Sequence, residues 1–170
     1  MAEEKGSSAS HRILFVCSGN TCRSPMAEAA AVAASDRLGI RSDVEVRSAG
    51  ASAAPGFPAS EGAVEVGRRH GLDLRGHRSR PLDPEDLAWA SLVVCMSRAH
   101  LGAVRATGAT DRAVLLTELL PRDDPERDRD VADPHGGDVE RYERAFEVIS
   151  EGVTSLMERL VDELREEAPE

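Results

Sequence analysis

Residues 12–28 read Arg-Ile-Leu-Phe-Val-Cys-Ser-Gly-Asn-Thr-Cys-Arg-Ser-Pro-Met-Ala-Glu. Ile13, Leu14, Phe15 and Val16 form an unbroken apolar run, the pattern of a strand buried on both faces of a parallel sheet. The run stops at Cys17 and a polar loop that contains Gly19. From Ser24 the chain offers a helix start, with Ser24 as N-cap, Pro25 in the first helical position and strong helix formers as far as Leu38. The order is strand, loop, helix. A loop so placed aims its backbone N–H groups into a concavity backed by the helix dipole, which is a site for an anion such as phosphate.

The rest of the chain continues the alternation. Residues 44–49 and 92–96 read as further strands and 113–116 as a short fourth, while 60–70, stopped by Gly71, and 98–106 read as helices. Between 139 and 164, apolar residues fall at Val139, Tyr142, Phe146, Ile149, Val153, Leu156, Leu160 and Leu164. That spacing of threes and fours is one long amphipathic helix. Strands alternating with helices predict an α/β fold: one three-layer domain over residues 11–166, with a four-stranded parallel sheet flanked by helices and the phosphate loop between the first strand and the first helix. Residues 1–10, polar and small, are expected to be a flexible tail. Residues 121–137, rich in aspartate, arginine, proline and glycine, form the one long surface loop, and loops of that length are often functional.

Composition narrows the function. A net charge of −10 argues against nonspecific binding to nucleic acid or to an anionic membrane, which reward clustered lysine and arginine. No apolar run approaches the roughly 20 residues that a bilayer span needs. Three cysteines, an odd number in a cysteine-poor chain, argue against a disulfide framework and for a reducing compartment. The first ten residues lack the apolar centre of a secretory signal. The expectation is a cytoplasmic protein, a monomer, with neither nucleic acid nor membrane as partner.

Cys17 and Arg23 stand at the two ends of the loop, five residues between them. The field that attracts a phosphate also favours a negatively charged sulfur, so Cys17 is placed to act as a nucleophile. Arg23 supplies a planar fork matched to two phosphoryl oxygens.

Several separate motifs then fall in one order: Val16 to Glu28 as quoted, Ser48-Ala49-Gly50, His77-Arg78-Ser79, Cys95-Met96 and Asp133-Pro134. In these the chain resembles the low-molecular-weight protein tyrosine phosphatase family, including its bacterial arginine-phosphatase branch, over nearly its whole length after the tail. The resemblance implies a phosphatase acting on phosphorylated proteins through a thiophosphate intermediate, with Cys17 as nucleophile, Arg23 as phosphate clamp and Asp133 as general acid. It implies that Ser18, Gly19, Asn20, Thr21, Cys22 and Ser24 bind the phosphate, with Ser24 also a hydroxyl donor to Cys17, and that Asn20, Ser48 and His77 form a supporting network. No metal or cofactor is called for, because Arg23, the loop amides and the helix dipole carry the charge. Cys22 leaves two roles open, a protective disulfide with Cys17 under oxidation or a filler of the loop floor. Cys95 reads as strand core.

Thr21 points to the substrate. Tyrosine-directed members of the family usually carry a bulky aliphatic residue there, and arginine-directed members a threonine, whose hydroxyl suits a guanidinium. The aromatics that often wall the cleft of tyrosine-directed members are missing from residues 51–54 and 135–137, and Asp133 and Asp138 are placed to attract a cation. Phosphoarginine is therefore favoured, with phosphotyrosine as the alternative. Arsenate reductases share the loop but need further cysteines, and Cys95 is the only one beyond it. A noncatalytic phosphate-binding module would be expected to lack the acid at Asp133.

Overall fold

The computed structural model describes residues 9–109 and 111–169. Residues 1–8, most of the stretch expected to be a tail, lie outside the described residues. In chain order the elements are β1 (His11–Cys17), α1 (Arg23–Arg37), β2 (Val44–Gly50), α2 (Glu61–Arg69), α3 (Pro84–Trp89), β3 (Leu92–Cys95), α4 (Arg98–Ala106), β4 (Ala113–Leu115), a 3-10 turn (Leu116–Leu119) and α5 (Val139–Glu167).

The four strands form one parallel sheet in the order β2-β1-β3-β4. β1 is thus internal, as its continuous apolar run requires. Its side chains alternate between two cores: Ile13, Phe15 and Cys17 pack with α1, α2 and α5, whereas Leu14 and Val16 pack with Leu87 of α3 and Leu101 and Val104 of α4. Each such side chain, fully buried, contributes about 1.5–3 kcal/mol. The order 2-1-3-4 reverses at β1, and in an open α/β sheet the crevice at the carboxyl ends of the strands beside that reversal is where ligands bind. Residues 18–22 leave β1 at that place.

Local chemistry departs from the sequence expectation in three places. α1 begins at Arg23 with Cys22 as its N-cap, two residues earlier than a Ser24 cap, and the cap makes no side-chain hydrogen bond. Ser24 is already helical and its hydroxyl serves the loop instead. α3 was not anticipated: Asp83 caps it by accepting the Asp86 N–H at 3.0 Å, in a capping box that opens on Pro84. Asp138, considered above as a lure for a cation, is the N-cap of α5, its carboxylate accepting the Arg141 N–H at 3.0 Å. Among the described residues, no helix is long and apolar enough to cross a membrane.

The segment between the 3-10 turn and α5 is tied down near its site end. The Val131 N–H donates to Met96 O at 2.8 Å, just past β3, and the Arg98 N–H donates to Asp130 Oδ1 at 2.8 Å. These bonds deliver Val131 and Asp133 to the mouth of the loop after β1.

Candidate active site

The loop after β1 is held from behind by hydrogen bonds that reach across the sequence. Asn20 sits in the left-handed region at φ 55° and is fully buried. Its carbonyl accepts His77 Nε2–H at 2.7 Å, its Oδ1 accepts the Arg80 N–H at 3.0 Å, and its Nδ2 donates to Ser24 Oγ at 2.8 Å and Ser48 Oγ at 3.0 Å. Four hydrogen bonds on one side chain and its carbonyl fix a conformation that few residues adopt. The strand neighbour supplies room: a Cβ at Gly50 would lie 2.5 Å from Ser18 O and 3.0 Å from Asn20 N, so only glycine lets β2 approach this closely.

Cys17 ends β1 with its thiol buried and 2.9 Å from Ser24 Oγ. Because Asn20 already donates to Ser24 Oγ, the Ser24 hydroxyl hydrogen is free to point at the sulfur. Arg23 is buried at the start of α1, its Nη1 donating to Val131 O at 2.9 Å and its Nη2 lying 3.5 Å from Asp133 Oδ2. Its Nε is buried with no hydrogen-bond partner, a donor that costs free energy until an anion accepts it. Asp133 is half exposed, its side chain 52% accessible, and its other oxygen accepts the His135 N–H at 3.1 Å. The fold therefore gathers a thiol, a guanidinium and an accessible carboxylate around an uncapped helix N-terminus, which can accept an anion, take a covalent bond at sulfur and exchange a proton at oxygen.

A model of the family described as "Low molecular weight phosphotyrosine protein phosphatase" matches residues 12–167. The chain belongs to that family. It is 38% identical over 159 residues to a protein-arginine-phosphatase of Geobacillus stearothermophilus, covering 92% of this chain and 98% of the relative. It is 35% identical over 156 residues to a low-molecular-weight protein-tyrosine-phosphatase of Streptomyces coelicolor, covering 86% and 92%. The solved structure of the YwlE arginine phosphatase from Geobacillus stearothermophilus superposes with a TM-score of 0.82 at 36% identity, over 94% of this chain and 99% of that one. Membership makes the chain a cysteine-based protein phosphatase, a hydrolase.

Of the residues singled out from the sequence of this phosphatase, Cys17, Asn20, Arg23, Ser24, Ser48, His77 and Asp133 converge as described, and Ser18 and Gly19 form the turn between them. Thr21 is half-buried; its hydroxyl has only a long 3.7 Å contact to Cys22 Sγ, and its carbonyl accepts the Ser60 N–H. The Cys22 thiol is turned toward α2 and α5, 3.3 Å from Ser60 Oγ and 3.4 Å from Tyr142 Oη. All three cysteines are free. Burial, with the Cys22 contact adding to it, pushes the Tyr142 hydroxyl up to about 12. Cys95 is fully buried in β3, and burial pushes its thiol up to about 12, so it stays protonated and unreactive at neutral pH.

Further contacts brace the loop from residues that no sequence motif singles out. Glu28 accepts the Ser48 hydroxyl at 2.5 Å, which extends the chain Cys17, Ser24, Asn20, Ser48 by one carboxylate. Arg80 reaches Ser48 O at 3.2 Å and pairs with the buried Asp86 of α3. Phe57, 58% exposed, lies in the segment 51–60 that is bonded to the loop at both ends, Ser52 N–H to Ser18 O at 2.9 Å and Ser60 N–H to Thr21 O at 2.9 Å.

Proposed function

We propose that this chain removes phosphoryl groups from arginine side chains of proteins by a two-step reaction at Cys17. The Cys17 sulfur forms a bond to phosphorus as the P–N bond to the guanidine breaks, and Asp133 gives its proton to the departing nitrogen. Water then attacks the thiophosphate while Asp133 takes up a proton, the S–P bond breaks, and inorganic phosphate leaves with the thiolate restored. Arg23, the loop N–H groups and the dipole of α1 meet the charge of the transferring group. Supporting this reading are the Ser24 hydroxyl 2.9 Å from Cys17 and the unpartnered Nε of Arg23. Three free thiols fit a reducing, cytoplasmic setting.

The observation that carries the substrate assignment is Thr21, whose side-chain hydroxyl is half-buried in the loop without a short protein partner and so is free to bond a guanidinium. The accessible carboxylate of Asp133 adds attraction for that cation. Relatives named for arginine and for tyrosine both exceed 30% identity, so identity alone does not choose. Phe57 favours the second reading, phosphotyrosine, since an exposed ring in the segment tied to the loop at both ends offers stacking worth about 0.5–1.5 kcal/mol.

The test is kcat/KM on matched phosphoarginine and phosphotyrosine peptides for the parent and Thr21→Ile. The parent is expected to prefer phosphoarginine by about tenfold or more, the scale on which one matched polar contact discriminates, and Thr21→Ile to reverse the order. A phosphotyrosine preference in both proteins would overturn the substrate assignment.

A further inference from the structure

His100 has no part in the reaction as described, yet it is buried in α4 with its ring bridging two serines. Nε2 lies 2.8 Å from Ser18 Oγ in the phosphate loop, and Nδ1 lies 2.8 Å from Ser97 Oγ, the N-cap of α4. Ser97 Oγ also accepts the backbone N–H of His100 at 3.3 Å. The contact with Ser18 sets the imidazole against the phosphate loop, where Arg23 of α1 and Asp130 and Asp133 of the segment before α5 are the charged groups that act on it.

Counting hydrogens decides the tautomer. A neutral imidazole has one N–H and one lone pair, and each serine hydroxyl has one hydrogen. With the hydrogen on Nδ1, Ser97 Oγ would accept twice, and its own hydrogen would be buried with no acceptor. With the hydrogen on Nε2, Ser97 donates to Nδ1, Nε2–H donates to Ser18 Oγ, and the spare hydrogen belongs to Ser18. Ser18 is only half-buried, at the loop, where an oxyanion or water can accept that hydrogen. A buried unpaired donor is the costlier of the two arrangements.

We infer that His100 is a positioning residue of the phosphate loop. As the Nε2–H tautomer it donates to Ser18 Oγ, ties the loop to α4 and frees the Ser18 hydroxyl to donate to a bound phosphoryl group. The inference rests on the phosphate-loop reading above. Burial, reinforced by Arg23, lowers the pKa of His100 and so agrees with a neutral ring.

The experiment has two arms on the full chain. Nitrogen-15 NMR of the histidine rings at neutral pH reads the tautomer directly. Steady-state kinetics on an aryl phosphate, with inorganic phosphate as competitive inhibitor, then compare the parent with His100→Ala, His100→Gln, Ser18→Ala and the double variant. The expected spectrum is that of an Nε2–H imidazole. His100→Ala is expected to raise KM and the phosphate inhibition constant about fivefold, the worth of one hydrogen bond, with a smaller change in kcat. His100→Gln, whose amide can both donate and accept, recovers most of the loss, and the double variant binds no more weakly than Ser18→Ala. An Nδ1–H ring, or losses at His100 and Ser18 that simply add, would overturn the inference. Failure of the phosphatase reading shows separately, as a parent without Cys17-dependent turnover, while the ring nitrogens still report on His100.

Discussion

Gly50 meets the phosphate loop with backbone alone. A methyl group there would sit 2.5 Å from Ser18 O, inside any tolerable contact, so Gly50→Ala has to push the loop away from β2. A displacement of that size at a reacting centre costs about a hundredfold in kcat/KM. Steady-state assays beside a circular dichroism spectrum unchanged in shape check that the loss is local. Asp133→Asn keeps the shape of the side chain but cannot exchange the proton, and kcat is expected to fall by about 10² to 10⁴. His100 makes a different prediction, in stability. Burial and Arg23 hold it below the ordinary histidine range, so the unfolded chain takes up a proton first. Its share of stability is therefore intact above about pH 6.5 and is lost as pH falls from there toward the lowered folded value. Urea midpoints measured from neutral to mildly acid pH should fall less steeply in His100→Gln than in the parent.

The elements that position the site were legible in proportion to their periodicity. β1 and α5 announce themselves, one by four consecutive apolar residues and the other by a stripe of eight apolar residues spaced by threes and fours. α3 spans six residues, too few for a period to show, although Asp83, Pro84 and Asp86 together spell a capping box. Asp83→Ala removes that cap and is expected to cost about 1 kcal/mol, seen as a lower melting temperature. At α1 the sequence offered Ser24 and Pro25 as a start, and the structure begins the helix at Arg23 because Ser24 is engaged by Asn20 and Cys17. A local preference lost to a contact within the loop. Gly62 of α2 shows the limit of sequence more plainly, since only the packing reveals that a Cβ there would lie 2.4 Å from the Tyr142 ring.

In the molecule as a whole, the sheet order places β1 at the reversal, and two cores on its opposite faces hold the strand from which the loop leaves. The family's motifs made the juxtaposition of Cys17, Arg23 and Asp133 legible in the sequence. The groups that brace them were not, because Glu28, Arg80 and His100 look like ordinary polar residues of helices and loops, and His100 lies 82 residues from the serine it touches. Closure of such distances is a property of topology, which no local pattern carries. The same architecture predicts linkage: inorganic phosphate at about a hundred times its dissociation constant should stabilise the parent by about 2.7 kcal/mol. Arg23→Met should lose most of that gain in a thermal melt.

The most direct measurement is intact-mass and peptide mass spectrometry of Asp133→Asn quenched in acid during turnover of an aryl phosphate whose leaving group needs no proton, so that only the hydrolysis step waits for the missing base. The account predicts a single added phosphoryl group located on Cys17, absent from Cys17→Ala. A phosphoryl group on another residue, or turnover that survives Cys17→Ser, would contradict it.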